Sequence, residues 1–381
     1  MALTVAGRGI IPPFFVMEVM RAACEREAAG GEVLHLEVGQ PSTPAPAPVI
    51  LAARAALDSD RLGYTEALGI PPLRAAISRH YRDRYGLEVP ARRVVVTTGS
   101  SGGFVLAFLA AFSAGDRVAM ATPGYPCYRN ILAALGVTPV EIAVGPDSRF
   151  QPTPALLEAA GPLDGLIIAS PANPTGTMIP AAELAALVGY CRHRGIRVIS
   201  DEIYHGITYG EPAASALGAG DEVVVLNSFS KYFSMTGWRL GWMVVPEALI
   251  RPVECLVQNL FISAPTLSQL GAVAAFGCRD ELDGHVARYA RSRALLLAEL
   301  PKAGLDRLAP AEGAFYLYAD VSALTDDSEA WCKRLLAETG IAITPGIDFD
   351  PARGRRFVRL SFAGATDTIA EAARRLAGWL R

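Results

Sequence analysis

A lysine, an arginine and two serines lie close together in one stretch of the sequence. Ser228 and Ser230 precede Lys231, and Arg239 follows the lysine eight positions later. The apolar run at 223–226 predicts a buried strand just before them. A lysine beside an apolar strand end can have a lowered pKa and form a Schiff base, and an arginine near serines suits a phosphate. The alternative is a strand that leads into a loop with ordinary surface cations.

Polar and aromatic residues follow other predicted strands in the same way. They are the glycine–serine turn Gly99–Gly103, Tyr125, Asn173 and the pair Asp201 and Tyr204. In an open parallel sheet, ligands bind beyond the carboxyl ends of the strands. We therefore expect these residues and the lysine to converge on one edge of the sheet.

Taken singly, each of these features has a structural alternative. The turn Gly99–Gly103 offers backbone N–H groups at a helix start, which suit a phosphate, although it can also be a plain tight turn. A dinucleotide fingerprint needs a third glycine and an acidic residue after the next strand, and neither occurs here. Tyr125 can be a core residue, Asn173 a turn residue and Asp201 a helix cap. Only their combination indicates chemistry.

Two patterns of elements are expected to position these residues. Short β-branched runs alternate with helical patterns, which is typical of a largely parallel sheet with helices on both faces. The strands of this part are predicted at 94–98, 117–121, 138–142, 165–169, 196–200, 223–227 and 241–245. After residue 246, helices precede strands at 314–319, 341–344 and 357–362, which predicts a smaller α+β domain.

The N-terminal part is expected to fold back onto this smaller domain, through a helix at 16–30 and a strand at 33–38. We predict an N-terminal segment at 1–45 that forms part of the small domain, a large domain at 46–280 and a small C-terminal domain at 281–381. A long helix is expected to join the two lobes.

The composition excludes several classes of protein. Among 381 residues, 51% are hydrophobic, 19% are charged and the net charge is −3, which gives no electrostatic basis for binding nucleic acid or an anionic membrane. The six cysteines are scattered without a C-x-x-C motif and predict reduced thiols of a cytoplasmic protein. The histidines are equally dispersed, so no metal site is predicted. The apolar segment Ile10–Val16 is too short to span a membrane; it is expected to pack on the protein body or, alternatively, to cover a pocket.

The chemically active residues together describe a site for pyridoxal 5′-phosphate (PLP). A lysine for an imine, a carboxylate for a pyridinium nitrogen, a ring for stacking, and donors for a phosphate and a phenolic oxygen are its parts. Nearly the whole chain resembles the class I and II PLP-dependent aminotransferases of fold type I, close to the aspartate and aromatic aminotransferase group. The motifs that carry the resemblance are Tyr64 with Gly69 and Leu73-Arg74, Pro123-x-Tyr125, Asn173-Pro174-x-Gly176, Asp201-Glu202-x-Tyr204, Ser228-x-Ser230-Lys231 with Gly237-x-Arg239-x-Gly241, and Arg359-Leu360-Ser361.

The resemblance implies a role for each residue at the cofactor ring. Lys231 would form the internal aldimine, and its freed amine would then move the substrate proton. Asp201 would pair with the pyridine nitrogen and Tyr125 would stack on the ring. Asn173 and Tyr204 would hydrogen-bond to the phenolic oxygen.

The resemblance also implies the residues for the phosphate and the substrate. The phosphate would be held by the backbone N–H groups of Ser101 and Gly102 and by Ser228, Ser230 and Arg239. The phosphate turn departs from the family's usual forms, so the choice between Ser100 and Ser101 stays open. Tyr64 would reach the phosphate of the neighbouring subunit, which implies a homodimer with shared active sites. Arg359 would bind the substrate α-carboxylate through both its donors, with help from Asn173 and the backbone at Gly39.

We therefore predict a fold-type I α/β enzyme that exchanges an amino group between an L-amino acid and a 2-oxo acid by a ping-pong mechanism. A C–S β-lyase or a decarboxylase on the same scaffold is the alternative, because the broken bond depends on its alignment with the ring. A non-catalytic PLP-binding regulator is more remote, since the chain lacks a basic DNA-binding segment. The apolar segment Ile10–Val16 near the expected entrance favours neutral or aromatic donors over dicarboxylic ones.

Overall fold

The computed structural model describes residues 4–59 and 61–380, which form twelve α-helices and twelve β-strands. Helices α1 to α12 span Phe15–Ala28, Ala47–Ser59, Pro71–Tyr85, Gly99–Ala111, Cys127–Ala134, Pro154–Ala159, Ala181–Arg194, Glu247–Leu260, Thr266–Ala275, Arg279–Glu299, Ser328–Thr339 and Thr366–Trp379. Strands β1 to β12 span Leu34–His35, Val94–Thr97, Arg117–Thr122, Thr138–Ala143, Gly165–Ala169, Arg197–Asp201, Val224–Ser228, Gly241–Val244, Tyr316–Asp320, Ile341–Ala342, Thr344–Pro345 and Phe357–Ser361.

The central layer is a seven-stranded sheet in the order β2-β8-β7-β6-β5-β3-β4. Its middle strands are apolar on both faces, as β5 illustrates. Leu166 and Ile168 belong to one hydrophobic cluster and Ile167 to the other, because successive side chains of a strand point to opposite faces. Helices cover both faces of this sheet, and the predicted fold class is confirmed.

β8, which is the last strand of this sheet along the chain, runs in a direction that the sequence did not predict. β8 is antiparallel to both β7 and β2, whereas β3 to β7 form parallel pairs. No α-helix lies between Ser228 and Gly241 to carry the chain back across the sheet, and a parallel return needs such a crossover. The loop therefore begins and ends at the same edge, and it holds Lys231 and Arg239 there.

A three-stranded antiparallel sheet, β11-β12-β9, and a parallel pair, β1-β10, complete the fold. The N-terminal helix α1 contacts β10 and β11, as expected for a segment that folds back. The strand predicted at 33–38 is wrong in length, because only Leu34–His35 are in strand conformation. The carbonyl of Glu37 instead accepts from the side chains of Thr344 and Arg359. The division at residues 45 and 280 stays a prediction.

The helices of the described residues include none that is both long and apolar enough to cross a membrane. The longest is α10, with 21 residues. Within the same residues, histidine, cysteine and acidic side chains form no group of three or more that could hold a metal ion.

Candidate active site

A cavity of about 180 Å³ lies at the carboxyl ends of β5, β6 and β7, beside α1 and the loop after β7. Most of the residues that the sequence singled out line this cavity. They are Gly39, Ser101, Tyr125, Asn173, Asp201, Tyr204, Ser230, Lys231, Arg239 and Arg359. The expected convergence at one edge of the sheet is therefore present in the structure.

Lys231 lies in the loop after β7, with its side chain directed into the cavity. Its Nζ donates a hydrogen bond to the carbonyl oxygen of Gly39 at 2.7 Å. Burial lowers the pKa of Lys231 to about 8, and the positive charges of Arg359 and Arg239 act in the same direction. A substantial fraction of the amine is consequently neutral near physiological pH, as a nucleophile requires.

Asp201 ends β6 and is almost fully buried, with 3% of its surface exposed. The hydroxyl of Tyr128 donates to Oδ2, and the backbone N–H of Ile203 donates to Oδ1 at 3.2 Å. Burial raises the pKa of Asp201 to about 6, and these two hydrogen bonds act against the rise. A buried carboxylate is stabilised by a nearby positive charge, and a protonated pyridine nitrogen fits that requirement.

Arg359 is a buried cation without a carboxylate partner among the described residues. Its guanidinium packs on the rings of Tyr316 and Phe349, with Cζ at 4.4 and 4.8 Å from the ring centroids. Nη1 donates to Oδ1 of Asn173 at 2.9 Å, and Nη2 donates to the carbonyl of Glu37. The buried Nε has no hydrogen-bond partner. A buried, incompletely paired guanidinium suits an anion such as a carboxylate.

Two further groups are positioned for an oxygen of a ligand. The hydroxyl of Tyr204 lies 2.7 Å from that of Tyr316. Because Arg359 can only donate, Asn173 must present its amide oxygen to it, so the NH₂ group of Asn173 stays a donor for a ligand.

Another part of the cavity, which we call the phosphate end, holds groups that suit a phosphate. The predicted glycine–serine turn is the first turn of α4, since this helix begins at Gly99. Both Ser100 and Ser101 line the cavity there, where N–H groups and the helix dipole favour an anion. Arg239 packs against this turn so closely that a Cβ on Gly99 would lie 2.6 Å from its Nη2. Ser230 also lines the cavity at this end.

Three predicted site residues lie outside the cavity lining in the single chain. Ser228 is buried behind Ser230, and their hydroxyl oxygens are 3.0 Å apart. Gly102 packs against Thr98, where a Cβ would overlap the threonine hydroxyl. Tyr64 is 84% exposed at the surface. Their roles at the phosphate stay predictions.

Several residues of the site were missed in the sequence. Tyr128 lies in the first turn of α5, whereas Tyr125 lies in the turn before that helix, and their rings meet edge to face at 5.3 Å; no helical spacing in the sequence indicates this contact. Tyr316 lies on β9 and is brought to Arg359 by the pairing of β9 with β12, which no local pattern indicates. Met17, which also lines the cavity, directly follows the apolar segment Ile10–Val16.

The apolar N-terminal segment packs on the protein body over residues 14–16 only, because residues 10–13 are exposed. Phe14 and Val16 line the cavity, whereas Ile10 and Ile11 are 74% and 49% exposed. The backbone N–H groups of Phe15 and Val16 each donate to the carboxylate of Asp348 at 3.2 Å. The start of α1 is thereby fixed as one wall of the cavity.

The fold and this set of side chains define a PLP-dependent aminotransferase of fold type I. The chain belongs to the family "Aminotransferase class I and II", whose model matches residues 31–376. The enzymes of this family depend on PLP, and transamination is the reaction of the chain.

Individual relatives match along almost their whole length. The chain is 58% identical over 381 residues to valine–pyruvate aminotransferase of Mycobacterium tuberculosis, covering 99% of this chain and 98% of that protein. A crystal structure of an aminotransferase from Mycobacterium tuberculosis superposes with a TM-score of 0.98 at 57% identity, over 100% of this chain and 99% of the other. The aspartate aminotransferase of Thermus thermophilus with maleate gives a TM-score of 0.93 at 30% identity, over 99% and 100% of the two chains.

Proposed function

We propose that the chain transfers the amino group of a neutral, apolar L-amino acid, with valine as the model donor, to a 2-oxo acid such as pyruvate. The observation that carries this proposal is the pairing of one substrate-binding arginine with an apolar wall. Arg359 and Arg239 are the only arginines that line the cavity among the described residues, and Arg239 lies at the phosphate end. The valine–pyruvate aminotransferase of Mycobacterium tuberculosis is a relative with such substrates in its name.

The cavity wall favours an apolar side chain over a second carboxylate. Phe14, Val16 and Met17 approach from α1 and its start, and Val38 lies beside Gly39. An ionised carboxylate that is removed from water without a cation is strongly destabilised. Among the described residues, no further arginine lines the cavity to pair with a second substrate carboxylate, so aspartate and glutamate are expected to bind poorly.

Each proposed residue has a task that its environment supports. Arg359 binds the α-carboxylate through Nε and one Nη, and its aromatic neighbours exclude water from that contact. The neutral Nζ of Lys231 would attach the cofactor, and after substrate exchange the freed amine would move the proton from the substrate Cα to C4′ of the cofactor. Asp201 holds the ring nitrogen protonated, with Tyr125 against the ring. When bound, PLP supplies an electron-withdrawing ring that stabilises negative charge at Cα.

The remaining residues bind the phenolic oxygen and the phosphate of the cofactor. Asn173 and Tyr204 donate to the phenolic oxygen. The phosphate is bound by the backbone N–H groups of Ser101 and Gly102 and by the side chains of Ser230 and Arg239. Ser228 acts on the phosphate through its hydrogen bond to Ser230.

We further propose a homodimer in which Tyr64 completes the phosphate site of the partner. Exposed apolar side chains lie at the end of α8 and in the loop after it, since Leu260 and Ile262 are 50% and 48% exposed. The loops that carry Tyr64 and Ile262 are joined, because Thr65 N–H donates to Ser263 Oγ at 3.4 Å and Thr266 Oγ1 donates to the Gly63 carbonyl at 2.6 Å. Exposed apolar patches of this kind are typical of protein interfaces.

A cytoplasmic location is proposed on the state of the cysteines. All six are free thiols, and three of them are buried, as expected of a protein kept in a reducing compartment.

Replacing Lys231 tests the assignment of the attachment site. The purified protein with PLP should show a visible absorbance band and a borohydride-fixed mass increase of one pyridoxyl phosphate group, and Lys231→Ala should lose both. Lys333→Ala is the matched control, since Lys333 is an exposed lysine paired with Glu329 at 2.7 Å. A Lys231→Ala protein that still fixes the cofactor would refute the assignment. Release of ammonia from the donor, instead of amino transfer to pyruvate, would favour the lyase alternative.

A further inference from the structure

Tyr316 touches both halves of the active site. Its ring lies against the guanidinium of Arg359, with Cζ 4.4 Å from the centroid, and its hydroxyl lies 2.7 Å from the hydroxyl of Tyr204. It is 1% exposed and lines the cavity. A Cβ on Gly39 would overlap its hydroxyl, and the carbonyl of that glycine accepts from Lys231.

We propose that Tyr316 is a positioning residue with two separable tasks, which rests on the function proposed above. Its ring holds Arg359 flat for the substrate α-carboxylate, and its hydroxyl donates to the oxygen of Tyr204. This second contact orients the Tyr204 hydroxyl, so that its own proton points to the phenolic oxygen of the cofactor.

The hydroxyl contact has an electrostatic consequence. A hydroxyl that accepts one hydrogen bond becomes a better donor in the next. Tyr316 therefore strengthens the hydrogen bond that Tyr204 donates to the phenolic oxygen. Because a hydrogen bond to a charged form favours that form, the bound cofactor is expected to lose its titrating proton at a lower pH when Tyr316 is intact.

The ring contact has a different consequence. A guanidinium on an aromatic face is stabilised when it is removed from water, and Arg359 contacts two such faces, those of Tyr316 and Phe349. Removing one face would let water reach the guanidinium and let it move. Carboxylate binding would weaken, with little effect on the titration of the cofactor.

Two substitutions separate these tasks. Tyr316→Phe keeps the ring and removes the hydroxyl, whereas Tyr316→Leu removes both. For Tyr316→Phe we expect the pH midpoint of the visible absorbance change to rise by about half a unit or more, in line with the loss of one hydrogen bond. The Kd of isovalerate, a non-reactive carboxylate measured through the same absorbance, should stay within about threefold, and Tyr316→Leu should raise it by about tenfold.

A control and a double variant make the test specific. Tyr318 lies on the same strand as Tyr316, and its ring is stacked on Phe357. Its buried hydroxyl has no hydrogen-bond partner among the described residues. Tyr318→Phe should therefore leave the midpoint and the Kd unchanged. In a Tyr204→Phe background, Tyr316→Phe should produce no further shift of the midpoint.

The outcomes distinguish this inference from the function on which it rests. A wild-type protein that binds no PLP would overturn the proposed function. The role of the hydroxyl would be overturned in either of two cases, provided that the wild-type protein titrates normally. In the first, Tyr316→Phe leaves the pH midpoint unchanged. In the second, Tyr316→Phe shifts the midpoint equally in the wild-type and Tyr204→Phe backgrounds. If Tyr316→Phe does not fold, Tyr204→Phe alone must still raise the midpoint, and an unchanged midpoint there contradicts the proposed chain of donors.

Discussion

Asp201 depends on its neighbours to be an effective counter-charge for a ring nitrogen. The Tyr128 hydroxyl and the Ile203 N–H both donate to it, and they oppose the burial that raises its pKa to about 6. The motif residue alone does not explain how a carboxylate in this apolar setting stays ionised. The second tyrosine of the Tyr125–Tyr128 pair supplies part of the explanation.

Substituting Tyr128 tests this dependence. Tyr128→Phe removes the hydroxyl donor, so the pKa of Asp201 should rise further and the acid limb of the activity profile should move to higher pH. Because a hydrogen bond to a charged group contributes about 1.5–3 kcal/mol, kcat/KM at neutral pH should fall by about tenfold or more. Tyr318→Phe is again the control. An unchanged acid limb in Tyr128→Phe would contradict this role.

Glu202, next to Asp201, gives a prediction about stability and pH. Burial raises the pKa of Glu202 to about 8 from its usual value of 4.5, so the folded protein holds a proton there that the unfolded chain releases. Its contribution to the free energy of unfolding is then complete below pH 4.5 and is lost as the pH rises through about 8. Glu202→Gln keeps a neutral side chain at all pH values.

The measurement is denaturant unfolding of both proteins between pH 5 and pH 9, with midpoints compared at each pH. The stability of Glu202→Gln relative to the wild type should increase with pH across this range. A difference between the two proteins that does not change with pH would show that Glu202 is ionised in the folded state.

At the scale of elements, the site depends on how α1 is anchored. Asp348 is buried and accepts from the first N–H groups of α1, although it lies more than 300 residues away in the chain. The cavity wall formed by Phe14 and Val16 is therefore fixed by the C-terminal part of the protein. A side chain that caps a helix start typically contributes about 1 kcal/mol to stability.

Asp348→Ala should lower the thermal midpoint and also raise KM for the amino donor by several-fold, since the wall loses its anchor. Asp327→Ala is a matched control, because Asp327 caps α11 by accepting from Glu329 and Ala330 at 3.1 Å, and neither it nor its partners line the cavity. The control should lower the thermal midpoint without a change in KM. Equal KM values for the two variants would contradict the anchoring role.

At the scale of the whole molecule, the alternation of strands and helices predicted the central sheet and the edge at which the site lies. The motif residues predicted most of the cavity, because each follows a strand and strand ends converge. The direction of β8 and the place of Tyr316 could not be predicted in this way. The first depends on the absence of a crossover helix after Ser228, and the second on pairing between strands that lie about 40 residues apart in the chain.

The proposed homodimer makes a prediction at the same scale. Lys231→Ala and Tyr64→Phe should each be impaired, because one lacks the amine and the other lacks a phosphate contact in the partner's site. A heterodimer of the two contains one complete site if Tyr64 acts across the interface. Co-expression should then restore up to about a quarter of wild-type activity, since half of randomly formed dimers are mixed and each holds one intact site of two. Activity no higher than the average of the separate variants would contradict shared sites.

The most direct test of the central claim is a comparison of amino donors with the PLP-loaded wild-type enzyme. With pyruvate as acceptor, kcat/KM for L-valine should exceed that for L-aspartate by at least about a hundredfold, since none of the described residues supplies a further arginine in the cavity for a side-chain carboxylate. Arg359→Lys should lower kcat/KM for L-valine by losing the two-donor contact to the α-carboxylate. A strict preference for aspartate and glutamate would contradict the account.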